Sequence, residues 1–415
     1  MTSTSNPTAA QTAETARLRE ISFLNLAHGL DHFVLLIYPT VVIGLELIYN
    51  RPYSELIALS STTFIAFGVF ALPSGWLADR WSRRNMMAAF YFGCGVSLIA
   101  IALAPNLVAL SIAMFMLGVF AAIYHPVGTA MLIEAAGANG RAMGRTLAFN
   151  GVCGNLGVSL AAGVSGALAY WVHWRMAFFA PAFVLLASGA LYVWMTPDDR
   201  HSIKKRVSKP AVPLTPKVIA MLFGLLLLIA LSSGVVFNIL TIALPKMVDE
   251  GMTKDSSLVM IGSIATMVLI CGAIAQLVIG RLVEKFSAPN LFVAVTGLGF
   301  FGNLWATYAT GAPQMVALAI AIAAIYAQVT VNDIILARYT ADAWRGRVYA
   351  VRFFSLFISA GLSIAMIALL HKSGGFGLVL GANSVVALAL FLATLVLVAL
   401  IFGIEQRHAA AQPAE

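Results

Sequence analysis

Long apolar runs separated by short polar connections dominate the chain. They fall near residues 21–47, 55–78, 85–104, 107–135, 146–171, 174–195, 217–247, 257–283, 289–310, 313–336, 349–370 and 376–404. Each is long enough to cross a bilayer as a helix, which needs about 20 apolar residues. None shows the ten-residue alternation of a barrel strand, so the pattern predicts twelve transmembrane helices and excludes a β-barrel. The longest polar connection, residues 197–216, carries Asp198, Asp199, Arg200, Lys204, Lys205 and Arg206 among four prolines. It divides the spans six and six. The expected layout is a disordered cytoplasmic tail over 1–16, a six-helix bundle over 17–196, a cytoplasmic linker over 197–216, a second bundle over 217–404 and a tail over 405–415.

The halves echo one another. Pro39 and Pro245 lie 206 residues apart, Gly75 and Gly280 lie 205 apart, and the Gly140-Arg141 and Gly346-Arg347 pairs again 206 apart. Three landmarks in order at nearly one offset indicate a duplicated six-helix unit. Two related bundles that rock about a site between them provide alternating access, which is the mechanical use of such a plan in transporters.

Composition identifies the solvent. Of 415 residues 60% are hydrophobic and only 10% charged, against about a quarter in soluble domains. Too few polar groups are present to coat a water-exposed globule, which excludes a soluble enzyme, a disordered chain, a disulfide scaffold and a collagen. The net charge of +8 raises the question of nucleic acid. Its distribution answers it. With both termini on one side, the termini and the connections on that side hold twenty of the 25 Lys and Arg, leaving Arg51, Arg175, Lys246, Lys254 and Lys372 opposite. That is the positive-inside asymmetry of a multi-pass protein of the bacterial cytoplasmic membrane with both ends cytoplasmic, and no nucleic-acid partner is expected. The Ser, Thr and Ala-rich start lacks the basic region of a cleaved signal. Cys94, Cys153 and Cys271 sit singly in apolar runs without metal-ligand spacing and read as buried hydrophobes. No G-x-x-x-x-G-K-[ST] loop occurs, so ATP is not expected to drive the protein directly.

After the second run comes Gly75-Trp-Leu-Ala-Asp79-Arg80-Trp-Ser82-Arg83-Arg84, with a decayed copy at Gly280, Glu284 and Lys285. In this stretch the chain resembles the major facilitator superfamily, whose loop motif is G-x-x-x-D-R/K-x-G-R/K-R/K; Ser82 stands where that motif has Gly. The resemblance implies an all-α integral membrane fold of two pseudo-symmetric six-helix bundles. It also implies a gating motif in which the glycine permits close helix approach and the acid pairs with a helix end or an arginine to latch the cytoplasmic side. Within the superfamily the first half is similar to the fosmidomycin-resistance branch of efflux proteins. That likeness rests on His28 and Tyr38-Pro39 in span one, on Gly118 and His125-Pro126 in span four, and on Phe149, Asn150, Gly151, Gly154, Asn155 and Gly157 in span five. The chain departs from that branch with Asp31-His32 where it tends to have Asn-Asp. No arginine of the kind common in multidrug antiporters sits in span four, and no Gly-Pro ends span five.

Charges at membrane depth are expensive and mark function. Asp31 and Asp333 sit well inside apolar runs, Glu134 near the inner end of span four and Glu46 near the outer end of span one. Asn25, His28, Asp31 and His32 are spaced by three and four, so they form one polar stripe directed at the bundle interior. Asp31, His28, His32, Glu134 and Asp333 are the candidates for proton coupling. Asn25, Tyr38, Tyr124, His125, Asn150, Asn155, Asn238 and Asn332 are the candidates for binding solute, and with Trp305 they predict a mixed cavity suited to an amphiphile. By the 206 offset Asn238 is the counterpart of His32 and Asn332 that of Pro126. Pro126 frees the carbonyl of Ala122 and predicts a kink. Asp333 and Arg338, five apart, are either a salt bridge or a gate, and the span-five glycines read as close packing. His28, Asp31 and His32 also fit H-x-x-D-H, near an inverted zinc-peptidase motif. The acid is Asp where that motif has Glu, and no third ligand is evident, so no enzyme is expected. A transition-metal transport site with His125 as a further ligand remains the alternative. The sequence thus points to a monomeric secondary transporter of a small organic solute, using protons and no cofactor. Efflux by antiport is expected, with proton-coupled uptake as the other direction.

Overall fold

The computed structural model describes residues 7–136, 140–197, 216–251, 256–339 and 342–411, and no strand occurs among them. The first half runs through α1 (Pro7–Leu35), α2 (Ile37–Tyr49), α3 (Tyr53–Ala58), α4 (Ser61–Arg80), α5 (Arg83–Leu103) and α6 (Leu107–Ala121). A π-helical turn, Tyr124–Gly128, leads into α7 (Thr129–Ala136), followed by α8 (Gly140–Trp171) and α9 (Met176–Met195). The second half holds α10 (Pro216–Ile242), α11 (Leu244–Gly251), α12 (Leu258–Leu282), α13 (Ala288–Tyr308), α14 (Gly311–Tyr339) and α15 (Asp342–Ala411).

Eleven helices among the described residues are long and apolar enough to span a membrane. The last of them, Phe354–Gly403, leaves helical geometry at Gly374 and Gly375. Gly375 has φ +63°, a left-handed conformation only glycine adopts freely. The two legs on either side correspond to the spans expected over 349–370 and 376–404. Leu47, Val108, Trp171 and Trp194 are strongly exposed, as side chains solvated by lipid would be.

Proline sets the helix breaks. Leu36 forms a turn between α1 and α2, whose third residue is Pro39. Across the repeat, α10 ends at Ile242 and α11 opens on Leu244-Pro245. A first-turn proline loses nothing because its missing N–H had no intrahelical partner. The expected uninterrupted first and seventh spans are therefore each two helices. Pro126 lies in the π-helical turn between α6 and α7, where the widened turn absorbs the bond that proline cannot make. Side-chain caps start other helices: Ser82 accepts from the Asn85 amide, Asn106 from Ala109 and Ser257 from Met260.

The chain divides into two compact units. The first comprises residues 1–48 and 59–205, the second 49–58 and 206–415. In the first, α1 packs on α8, α4 on α6, and α5 on both α6 and α9. Phe90, Tyr91, Tyr124, Phe178 and Tyr192 fill its interior. In the second, α10 packs on α15, and α13 and α14 pack on each other, with α15 also on α13 and α12 on α14. Phe292, Ile322, Tyr326 and Val331 lie in its core.

Three details differ from the sequence expectation. α1 extends back to Pro7, so residues 7–16, expected as loose tail, are helical; α15 likewise continues to Ala411. Ala, Gln and Glu, all good helix formers, occur in both extensions. The segment 49–58 belongs with the second unit, because Tyr53 is buried against His371 and Phe376 and its ring receives Lys246 Nζ at 5.6 Å. Of the linker 197–216, residues 198–215 lie outside the described residues, as do the side chains of Arg141, Arg338 and Arg347.

Candidate functional site

The polar stripe of α1 and the π-helical turn meet inside the first unit. Asp31 is fully buried, and neither carboxylate oxygen has a hydrogen-bond partner among the described residues. His125 faces it, with Nε2 3.5 Å from Oδ2. His28 Nε2 and His32 Nε2 stand 3.2 Å apart. One ring nitrogen from each of His28, His32 and His125 lies within 4.8 Å of the other two.

Asn150 of α8 organises this cluster. Its backbone carbonyl takes the Nδ1 proton of His28 at 2.7 Å. A carbonyl only accepts, so His28 carries its proton on Nδ1 and turns the Nε2 lone pair toward His32. The Asn150 amide donates to Asn25 Oδ1 and Tyr124 Oη, both at 2.9 Å. One side chain therefore ties α1, the π-helical turn and α8 together. Tyr124 stacks on the His28 ring with centroids 4.9 Å apart, and Phe67 meets His125 edge to face at 6.0 Å.

Glycine gives the His28 ring its seat. A Cβ on Gly154 would fall 2.7 Å from His28 ring atoms, and one on Gly157 would fall 2.0 Å from the Gly29 carbonyl oxygen. α1 and α8 thus touch backbone to backbone. The widened turn at Tyr124–Gly128 supplies the remaining reach, presenting Tyr124 and His125 to one cluster.

Of the sequence candidates, Asn25, His28, Asp31, His32, Tyr124, His125 and Asn150 converge here. Tyr38 is buried in α2 and Asn155 is half-buried in α8. Glu134 stands apart: it pairs with Arg83, which also holds Asp79 at 2.9 Å. The second-half candidates belong to the second unit. Asn238 donates to Gly234 O at 2.7 Å, Asn332 is buried with Oδ1 unpartnered, and Asp333 is half-buried in α14. Trp305, expected in a mixed cavity, is 46% exposed on α13.

Around the Gly75 motif the basic residues hold helix ends. Arg80 lies over the Trp76 ring at 4.2 Å, and Arg84 donates to Val193 O and Thr196 O at the end of α9. Gly75 approaches Pro126, a Cβ there falling 3.3 Å from the proline Cβ, and Ser82 serves as the α5 cap where the loop motif has Gly. Gly280 has open space around it, and Glu284 and Lys285 occupy the turn after α12. Sequence reasoning missed Arg17 and Arg19, which donate to Ala135 O at the end of α7 and to Met195 O at the end of α9. It also missed Phe67 and the buried Asn303–Asn383 bond of 2.7 Å in the second unit.

The family model described as Major Facilitator Superfamily matches residues 21–260, more than half of the chain. The chain belongs to the Major Facilitator Superfamily. It is 24% identical over 303 residues to the uncharacterized MFS-type transporter YybF of Bacillus subtilis (strain 168), covering 69% of this chain and 72% of that protein. Its fold matches the crystal structure of a bacterial homolog to the human lysosomal transporter Spinster, in an inward-facing and occupied conformation. The TM-score is 0.69 at 14% identity, over 94% of this chain and 97% of the other. The protein is thus a multi-pass member of a secondary-transporter superfamily, with the His/Asp cluster as its candidate site.

Proposed function

We propose that this superfamily member exports a small organic solute across the bacterial cytoplasmic membrane by proton antiport, as a monomer with both termini cytoplasmic. The observation that carries the reading is Asp31, a wholly buried carboxylate in a membrane helix with no hydrogen bond to hold its charge. A charged aspartate at the centre of a membrane helix is disfavoured by about 3 kcal/mol. An acid kept under that penalty is useful if it sheds and regains its charge as the site alternates between the two sides. His125 at 3.5 Å can share the proton.

The surroundings support an amphiphilic cargo. Tyr124 and Phe67 offer apolar faces, while His28, His32 and Asn25 offer polar atoms beside them. The likeness of spans one, four and five to the fosmidomycin-resistance branch favours outward transport of a drug-like molecule. Glu134 and Asp333 are the further coupling candidates, and Asn238, Asn332, Tyr38 and Asn155 the further cargo contacts. The Asp79–Arg83–Glu134 network is the inner latch.

Liposomes holding a pH dye test the reading, with wild type and Asp31→Asn compared across antibiotics and organic acids. At least one organic compound should trigger proton movement that Asp31→Asn reduces more than tenfold. Equal flux in the mutant would remove Asp31 as the carrier, and flux with no compound in the panel would count against an organic cargo.

A further inference from the structure

We infer that His28, His32 and His125, closed by Asp31, form a binding site for a divalent transition-metal ion of the zinc class. The inference rests on the cluster being the functional site, as proposed above, and not on which solute or ion is moved.

Geometry comes first. Tetrahedral Zn²⁺ with ligand bonds of 2.0–2.1 Å places neighbouring ligand atoms about 3.4 Å apart. His28 Nε2 and His32 Nε2 are 3.2 Å apart, and His125 Nε2 is 3.5 Å from Asp31 Oδ2. Two edges of a coordination tetrahedron are therefore already close to length. The three histidines bring one ring nitrogen each within 4.8 Å of the other two, and Asp31 reaches the set through His125.

The second argument is what each group lacks. Asp31 is fully buried with neither oxygen hydrogen-bonded, and a cation among the imidazoles supplies the counter-charge it needs. The third is the outer shell. Metal-bound histidines usually donate the other ring N–H to a carbonyl or carboxylate, which fixes the tautomer. His28 Nδ1 makes that bond to Asn150 O at 2.7 Å, and Gly154 leaves room for the ring in that orientation. Three imidazoles and one carboxylate suit zinc, cobalt, nickel or iron(II) in preference to magnesium or calcium. The ion uses the same atoms assigned above to coupling, so its occupancy and coupled transport exclude one another.

Co²⁺ is the probe, because its visible absorption reports four-coordinate geometry. Purified protein in detergent, with any affinity tag removed, should bind one Co²⁺ per chain with a tetrahedral spectrum that Zn²⁺ displaces. His125→Ala and His32→Gln should each weaken binding at least tenfold. Gly154→Ala, which displaces the His28 ring without removing a ligand, should weaken it about tenfold and alter the spectrum. Thermal melts without metal identify any variant that is unfolded, and the remaining variants then decide the outcome. Absence of stoichiometric Co²⁺ and Zn²⁺ binding, or a spectrum unchanged in the folded variants, overturns the site. Because binding is measured without transport, loss of the organic-solute reading leaves this result intact, and the reverse also holds.

Discussion

Asp31 is the residue on which the proposed site turns, and its lack of a hydrogen bond makes a prediction about stability that is separate from transport. If the fold depended on a bond to the carboxylate, Asp31→Asn would weaken it. No such bond is present, and the amide has nearly the same shape. Thermal melting in detergent should therefore place Asp31→Asn level with wild type or above it, by no more than about 3 kcal/mol, the scale of a buried aspartate's penalty. A lower melting point would mean that the carboxylate holds the helices together. The residue types of this site were legible in sequence because their cost is: His, Asp and Asn in apolar runs stand out. Phe67 was not, since one Phe among 25 carries no signal until its ring is seen against His125. Nor could sequence place Glu134, which looked like a membrane acid and pairs with Arg83.

Helix crossings set how finely these residues are held. α1 and α8 meet through Gly29 and Gly157, where an added methyl would strike backbone that cannot rotate away. Gly157→Ala should destabilise the protein by about 1–3 kcal/mol, the usual penalty for overpacking. Gly151, in the same helix, has nothing within 4 Å of a Cβ. Gly151→Ala should be neutral or stabilising by up to about 1 kcal/mol, because alanine restricts the unfolded chain more than glycine does. Chemical or thermal unfolding of the pair decides the matter, and equal effects would deny the close crossing. Spacing alone marked both glycines as packing residues, yet could not separate the contact glycine from the open one. The same limit hid the breaks at Leu36 and Ala243: Pro39 and Pro245 were visible as a repeated pair, but hydropathy runs on unbroken across both. Pro126 announced its distortion, though not that a π-helical turn would absorb it.

For the whole molecule the duplication and the charge asymmetry were the legible features, because both are summed over many residues. The six-and-six division agrees with the two compact units except at 49–58, which joins the second unit through Tyr53. That exception depends on the contacts of one aromatic side chain, Tyr53, and leaves no trace in composition. Charge makes the last prediction. Arg17, Arg19, Arg83 and Arg84 gather at helix ends, where they cap carbonyls or join carboxylates at the Gly75 motif. Burying such groups while dragging them through lipid is disfavoured, and the proposed cytoplasmic placement of this face makes a labelling prediction. In a cysteine-free background, Ser202→Cys in the linker should react with a membrane-impermeant maleimide only after cells are permeabilised. Asn50→Cys, after the first span, should react in intact cells. The reverse pattern would place both termini outside, and the Asp79–Arg83–Glu134 network would then latch the opposite face from the one assigned to it.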